Sequence, residues 1–251
     1  MDGTTEPVIA VIGHPIAGNP SQFAFESAVV AMQLDWRVIS FDVAPEAIAA
    51  ALDGAEVLGL RGILLDSNVS QAAAQWCQDR QQGGQELQTQ IDCLYRNAEG
   101  QLAGCNQQRA WVDEKIVEHR ESLGRDFSGC LRLGDQVDAS RIESVPFNEP
   151  PIAAAPELDE SVGADVIVIA DVDGNPVALE VDDWPPGKES TLVVDLTDGH
   201  PDIERIQSLG YQVLTLEQRR IGTLRRCLKL WTGADSPAEV VHDAVEEYLG
   251  V

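Results

Sequence analysis

A chain of 251 residues with 44% hydrophobic and 5% aromatic side chains can bury an aliphatic α/β core, as one large domain or two modest ones. Its 42 acidic against 17 basic residues leave a formal charge of -25, which repels phosphate backbones and anionic headgroups and argues against nucleic-acid and membrane-surface roles. The five cysteines are dispersed, with no C-x-x-C pair and no histidine at metal-ligand spacing, so neither a disulfide scaffold nor a metal site is expected.

Residues 8 to 13 form a short apolar run closed by glycine and predict a buried strand; helical spacing follows over 22 to 33, and 36 to 43 alternates as a second strand. Pro45 opens an Ala- and Leu-rich segment to residue 58, which predicts a helix, and 62 to 65 is a short buried strand. This βαβαβ succession predicts a mainly parallel sheet covered by helices, with ligands expected beyond the carboxyl ends of its strands, where Gly13 to Ser21 lies.

The Gln- and Gly-rich stretch 78 to 90 reads as a helix end and loop. Residues 91 to 97 and 101 to 105 flank Ala98-Glu-Gly100 as a hairpin. Helical character returns over 111 to 123, and a break at Gly124-Arg-Asp leads into 130 to 134, the first strand of a second domain. Further buried strands are predicted at 165 to 170, 191 to 196 and 211 to 215, and the Pro- and Ala-rich segment 147 to 160 is a linker or surface loop. Asp171-Val-Asp173-Gly-Asn175 lacks the downstream glutamate of a calcium loop and reads as a turn at a sheet edge. Trp111 and Trp231 fall at apolar helix positions and are expected in the core. No charged-then-apolar leader is present, no apolar run approaches the roughly 20 residues of a bilayer span, and the expected location is the cytoplasm.

Four stretches, in order, resemble the shikimate dehydrogenase family: Ile12-Gly-His-Pro-Ile-Ala17, Leu34-Asp-Trp-Arg-Val-Ile-Ser-Phe-Asp-Val43, Gly100-Gln-Leu-Ala-Gly-Cys-Asn106, and Leu230-Trp-Thr-Gly233 before a terminal helix. The resemblance implies an α/β two-domain fold. Residues 1–108 and 222–251 would form an N-terminal substrate-binding-type α/β domain, and 109–221 a reduced Rossmann-like domain, with the site in the cleft between them.

In that family a lysine acts with an aspartate as the acid-base pair for hydride transfer. The corresponding positions here read Ser70 and Gln108, and Leu64 stands where a substrate-binding asparagine is expected. A serine hydroxyl carries no charge, an amide accepts no proton usefully, and leucine offers no hydrogen bond, so no catalytic residue is expected. Asn19 and Ser21 align with the two serines of the first loop. With Asn106 they are the expected substrate-binding residues, suited to holding a small carboxylate beside a helix N-terminus. The family's other substrate-contacting asparagine and glutamine fall near Cys93 and Thr223.

After Gly134 the chain continues Asp135-Gln-Val-Asp138-Ala-Ser140, with no glycine fingerprint and with negative charge where phosphates would lie. Between Gly134 and Gly163 there is too little chain for an added strand and crossover, which alone take roughly 30 residues, so one such unit is expected to be missing. Arg141 reads as an ordinary surface residue or a remnant of 2'-phosphate recognition. Arg219, Arg220, Arg225 and Arg226 read as surface pairing in an acidic protein or as an anion site. Histidines 14, 119, 200 and 242 accompany no G-x-S-x-G motif, and His14 either shapes its turn or touches a ligand.

The expected protein is a shikimate-dehydrogenase-like pseudoenzyme that binds no nucleotide and retains small-carboxylate binding. The alternative is an active NADP-dependent shikimate or quinate dehydrogenase with atypical residues, and a third possibility is a scaffold that binds another protein. A homodimer is left open.

Overall fold

The computed structural model describes residues 6–80, 89–134, 164–172, 175–188 and 190–250. They form two compact units, residues 1–108 with 221–251, and residues 109–220.

In the first unit β1 (Val8–Gly13), β2 (Arg37–Asp42), β3 (Gly62–Leu65), β4 (Cys93–Arg96) and β5 (Leu102–Cys105) form one sheet, ordered β2-β1-β3-β4-β5. β1 pairs in parallel with β2 and β3, whereas β4 runs antiparallel to β3 and β5 antiparallel to β4. Because helices cover both faces, both sets of alternating side chains on a central strand must be apolar. Ile9 and Val11 join one core cluster and Ala10 and Ile12 the other. β2, at the sheet edge, is mixed in burial.

Helices α1 (Ser21–Ala31), α2 (Ile48–Leu58) and α3 (Ser67–Arg80) follow the first three strands. α2 is preceded by a 3-10 turn, Pro45–Ala47, because proline fits a first turn that needs no N–H donor. Phe25 of α1 packs with Trp231 and Val241 on one face, while Ile48, Leu52 and Trp76 pack on the other. Trp231 is fully buried, donates its indole N–H to the Leu94 carbonyl at 3.0 Å, and meets Phe25 edge-on at 5.3 Å. Its indole lies where a side chain on Gly62 would sit, 2.3 Å from the position a Cβ would take, so β3 must open on glycine.

In the second unit α4 (Gln107–Leu123) leads from the first unit into β6 (Cys130–Leu133), β7 (Val166–Ile169), β10 (Leu192–Asp195) and β11 (Gln212–Leu214). All pair in parallel, in the order β11-β10-β7-β6. Leu133, Ile167, Val193 and Ile206 of α5 (Ile203–Ser208) share one cluster; Val112 and Ile116 of α4 share another with Val166, Val168 and Val194. β8 (Asp171–Val172) and β9 (Asn175–Pro176) pair as a short hairpin around the acidic motif, whose Asp173 lies outside the described residues. So do Asp135, Asp138, Ser140, Arg141 and the Pro-rich segment 147 to 160. α6 (Leu216–Thr232) and α7 (Ala238–Leu249) end the chain. Among the described residues no helix is long and apolar enough to cross a membrane.

The sequence places the start of the fourth helix at residue 111, four residues after its actual start at Gln107. The reason is a cap from outside the helix. Asp92, just before β4, accepts the backbone N–H groups of Gln107 and Gln108 on its two carboxylate oxygens, at 2.6 and 2.7 Å. Those two orphan donors are satisfied by a residue that no local helix-start pattern contains.

Candidate functional site

The order β2-β1-β3 makes the β1/β3 boundary of the first sheet a topological switch point. The loops leaving β1 and β3 lead to α1 and α3, which pack in the two different core clusters on opposite faces, and beyond the strand ends at such a point open α/β sheets take ligands. The loop after β1 and the turn after β3 supply its polar groups.

Asn19 spends both ends of its amide in this loop. Its Oδ1 accepts the Ser21 N–H at 2.9 Å, and its Nδ2 donates to Asp66 Oδ2 at 3.1 Å. Ser21 is buried as the first residue of α1. Asp66 therefore presents a carboxylate to the amide expected to hold a ligand carboxylate. Gly13 permits this approach, since a Cβ there would lie 2.8 Å from Asp66 Cβ. Asn68 ties the two segments together: its Oδ1 accepts the His14 N–H at 3.3 Å and its Nδ2 donates to the His14 carbonyl.

Ser70, Asn106 and Gln108 come from three different elements and are fastened in turn to the consecutive residues Gln90, Ile91 and Asp92. Asn106 Nδ2 donates to the Gln90 carbonyl at 3.4 Å, buried Ser70 donates its hydroxyl to the Ile91 carbonyl at 2.6 Å, and Asp92 takes the Gln108 N–H. The Leu65 N–H donates to the Asp92 carbonyl at 2.8 Å, linking this corner to the end of β3.

Asp92 is the residue that sequence reasoning missed. Loss of water around its carboxyl pushes it up to about 6, against the two N–H bonds and the nearby Arg226, which favour the charged form. Arg226 donates through Nε to Gln107 Oε1 at 3.0 Å. The signal was a single acid inside the apolar run Ile91-Asp-Cys-Leu94, one residue from the position assigned near Cys93. Cys93 and Cys227 are fully buried beside it, and burial raises both thiols, so neither resembles an activated nucleophile.

Of the basic cluster, Arg219 donates to the Thr197 carbonyl and Arg225 to the Ser236 carbonyl. With Arg226 on Gln107, three of the four guanidiniums are engaged with neutral oxygens of the protein itself.

A dinucleotide site requires open backbone after the first strand of its sheet. Gly134, following β6, has a φ of 97°, and a Cβ there would lie 2.4 Å from the Ala170 carbonyl oxygen. This glycine admits the chain's own β7 extension. Residues 135–163, which follow it, lie outside the described residues.

No family profile matches the chain. A shikimate dehydrogenase (NADP(+)) from Methanopyrus kandleri is 26% identical over 280 aligned residues, covering 96% of each chain. One from Geobacter metallireducens is 40% identical over 55 residues, 22% of this chain and 19% of that protein. Among solved structures, Thermus thermophilus shikimate 5-dehydrogenase in complex with shikimate superposes with a TM-score of 0.71 at 20% identity, covering 98% of this chain and 100% of that one. Ligand-free 5-ketofructose reductase from a Gluconobacter strain gives the same score at 17% identity, covering 98% and 99%.

Proposed function

We propose that this chain, similar along nearly its whole length to a shikimate dehydrogenase, is a divergent member of that family that does not catalyse dehydrogenation, binds no nicotinamide nucleotide and retains a small-carboxylate site at the β1/β3 edge. One observation carries the loss of activity. Ser70, at the position of the family lysine, turns its hydroxyl inward onto the Ile91 carbonyl, where it neither charges nor protonates a ligand. The first unit has one lysine in its whole sequence, Lys229, and that ammonium pairs with Asp235 at the end of α6. Protonating a developing alkoxide needs an acid beside it, and none of the expected groups supplies one.

The carboxylate site rests on Asn19 and Ser21 at the start of α1, with Asn106, just after β5, as the third expected group. Asp66 already holds the Asn19 amide, so a ligand carboxylate enters by displacing it. Like charges at such range oppose one another, which makes Asp66 a restraint on affinity.

Titration with shikimate and with quinate, followed by tryptophan fluorescence, and an assay of NADPH formation test this reading. Saturable binding without turnover is the expected result, and Asp66→Asn is expected to tighten binding by about 10-fold through removal of roughly 1.4 kcal/mol of repulsion. Turnover with NADP, or weaker binding by the Asp66→Asn protein, overturns it.

A further inference from the structure

His14 and Asp42 lie on the same edge as the proposed carboxylate site and play no part in the reading above. Parallel pairing sets Asp42, the last residue of β2, in register with Gly13, the last of β1. The residue after Gly13 is thereby brought against an acid 28 positions away: His14 Nδ1 lies 2.6 Å from Asp42 Oδ1. The backbone of His14 is gripped on both sides by the Asn68 amide, through its N–H and its carbonyl. Loop and ring are therefore both held.

An ionised carboxylate accepts hydrogen bonds and donates none, so neutral His14 keeps its ring proton on Nδ1 and presents a lone pair at Nε2. Among the described residues none is hydrogen-bonded to Nε2, and the side chain is half-exposed at 51%. An orienting acid, a fixed tautomer and an available acceptor nitrogen are what a base needs in order to address a ligand group. The loop that carries it follows β1 directly and is tied by Asn68 to the turn after β3, at the β1/β3 edge.

We propose that His14, oriented by Asp42, is a hydroxyl-recognising residue of this edge, with Nε2 accepting the hydrogen bond of a hydroxyl on a small polyhydroxylated ligand. The inference rests on the reading that a ligand occupies the proposed carboxylate site, and it adds the acceptor that selects for hydroxyl groups there. Asp42 is a positioning residue: it acts on the ligand only through the ring.

Imidazole nitrogen NMR tests both steps, with shikimate and quinate as the probes. The free protein is expected to show His14 with its proton on Nδ1. Asp42→Asn, which can donate to Nδ1, is expected to move the proton to Nε2. Saturation with either probe is expected to shift the Nε2 resonance. Affinity is expected to fall about 3- to 10-fold in His14→Ala and in Asp42→Asn, the range of one neutral hydrogen bond, with partial recovery in His14→Gln, whose amide oxygen can accept. If the probes bind while Nε2 does not move and both variants bind within twofold of the natural protein, this inference falls and the carboxylate-site reading stands. If neither probe binds at millimolar concentration, both fall.

Discussion

The two sheets are built from the same kind of strand and end differently. In β3 and in β7 every residue is buried, as helices on both faces demand. In the first unit the strand order reverses direction at β1, and polar groups from Asn19, Asp66 and Asn68 meet beyond the strand ends. In the second the described strands run monotonically from β6 to β11, and the Ala170 carbonyl lies close against Gly134, the residue after β6. Strand composition decides that a sheet forms. Strand order and the residues past the strand set which groups gather at its edge.

The largest expected effect tests the close approach at Gly134. Gly134→Ala places a Cβ 2.4 Å from a backbone oxygen at a φ of 97°, and a loss of about 3 kcal/mol in urea unfolding is expected. A near-neutral result would mean that this edge has room, and the contrast between the sheets would break.

Asp92 sharpens the contrast through pH. Its folded-state value of about 6 lies above the ordinary carboxylate value, so it favours folding fully below about pH 4, and that contribution is lost as pH rises through about 6. Asp92→Asn keeps one cap acceptor and removes the titration. Relative to the natural protein the variant is expected to gain about 2 kcal/mol between pH 4 and pH 8, read from denaturant midpoints across that range; a constant difference between the two proteins contradicts the assignment.

The smallest effect concerns Ser70. Ser70→Ala removes one buried hydrogen bond to a carbonyl, at a cost of about 1 kcal/mol in stability. Binding of shikimate or quinate is expected to remain within twofold, because the hydroxyl faces inward. A large loss of affinity would return Ser70 to the ligand.

Much of the fold was legible from short-range pattern. The all-apolar runs of β1, β3 and β7, the turn glycine at Gly100 and the proline before α2 each report a local constraint, and the strands and hairpin they predict are present. α4 shows where that legibility stops, since its first turn is capped by Asp92 across a hairpin. Asn19 shows the same limit within the site: its residue type suits carboxylate binding, but only the folded chain brings Asp66 onto its amide.

The amino-acid sequence alone established an α/β chain that resembles the shikimate dehydrogenases and carries an uncharged residue at Ser70, because apolar periodicity and residue identity are local properties. The tertiary structure decided what the remaining polar groups do. Asp92 at the start of α4, Asp66 on Asn19 and Asp42 on His14 are pairs 15 to 47 residues apart, made neighbours by strand order and register, and their chemistry exists only once the sheet has formed.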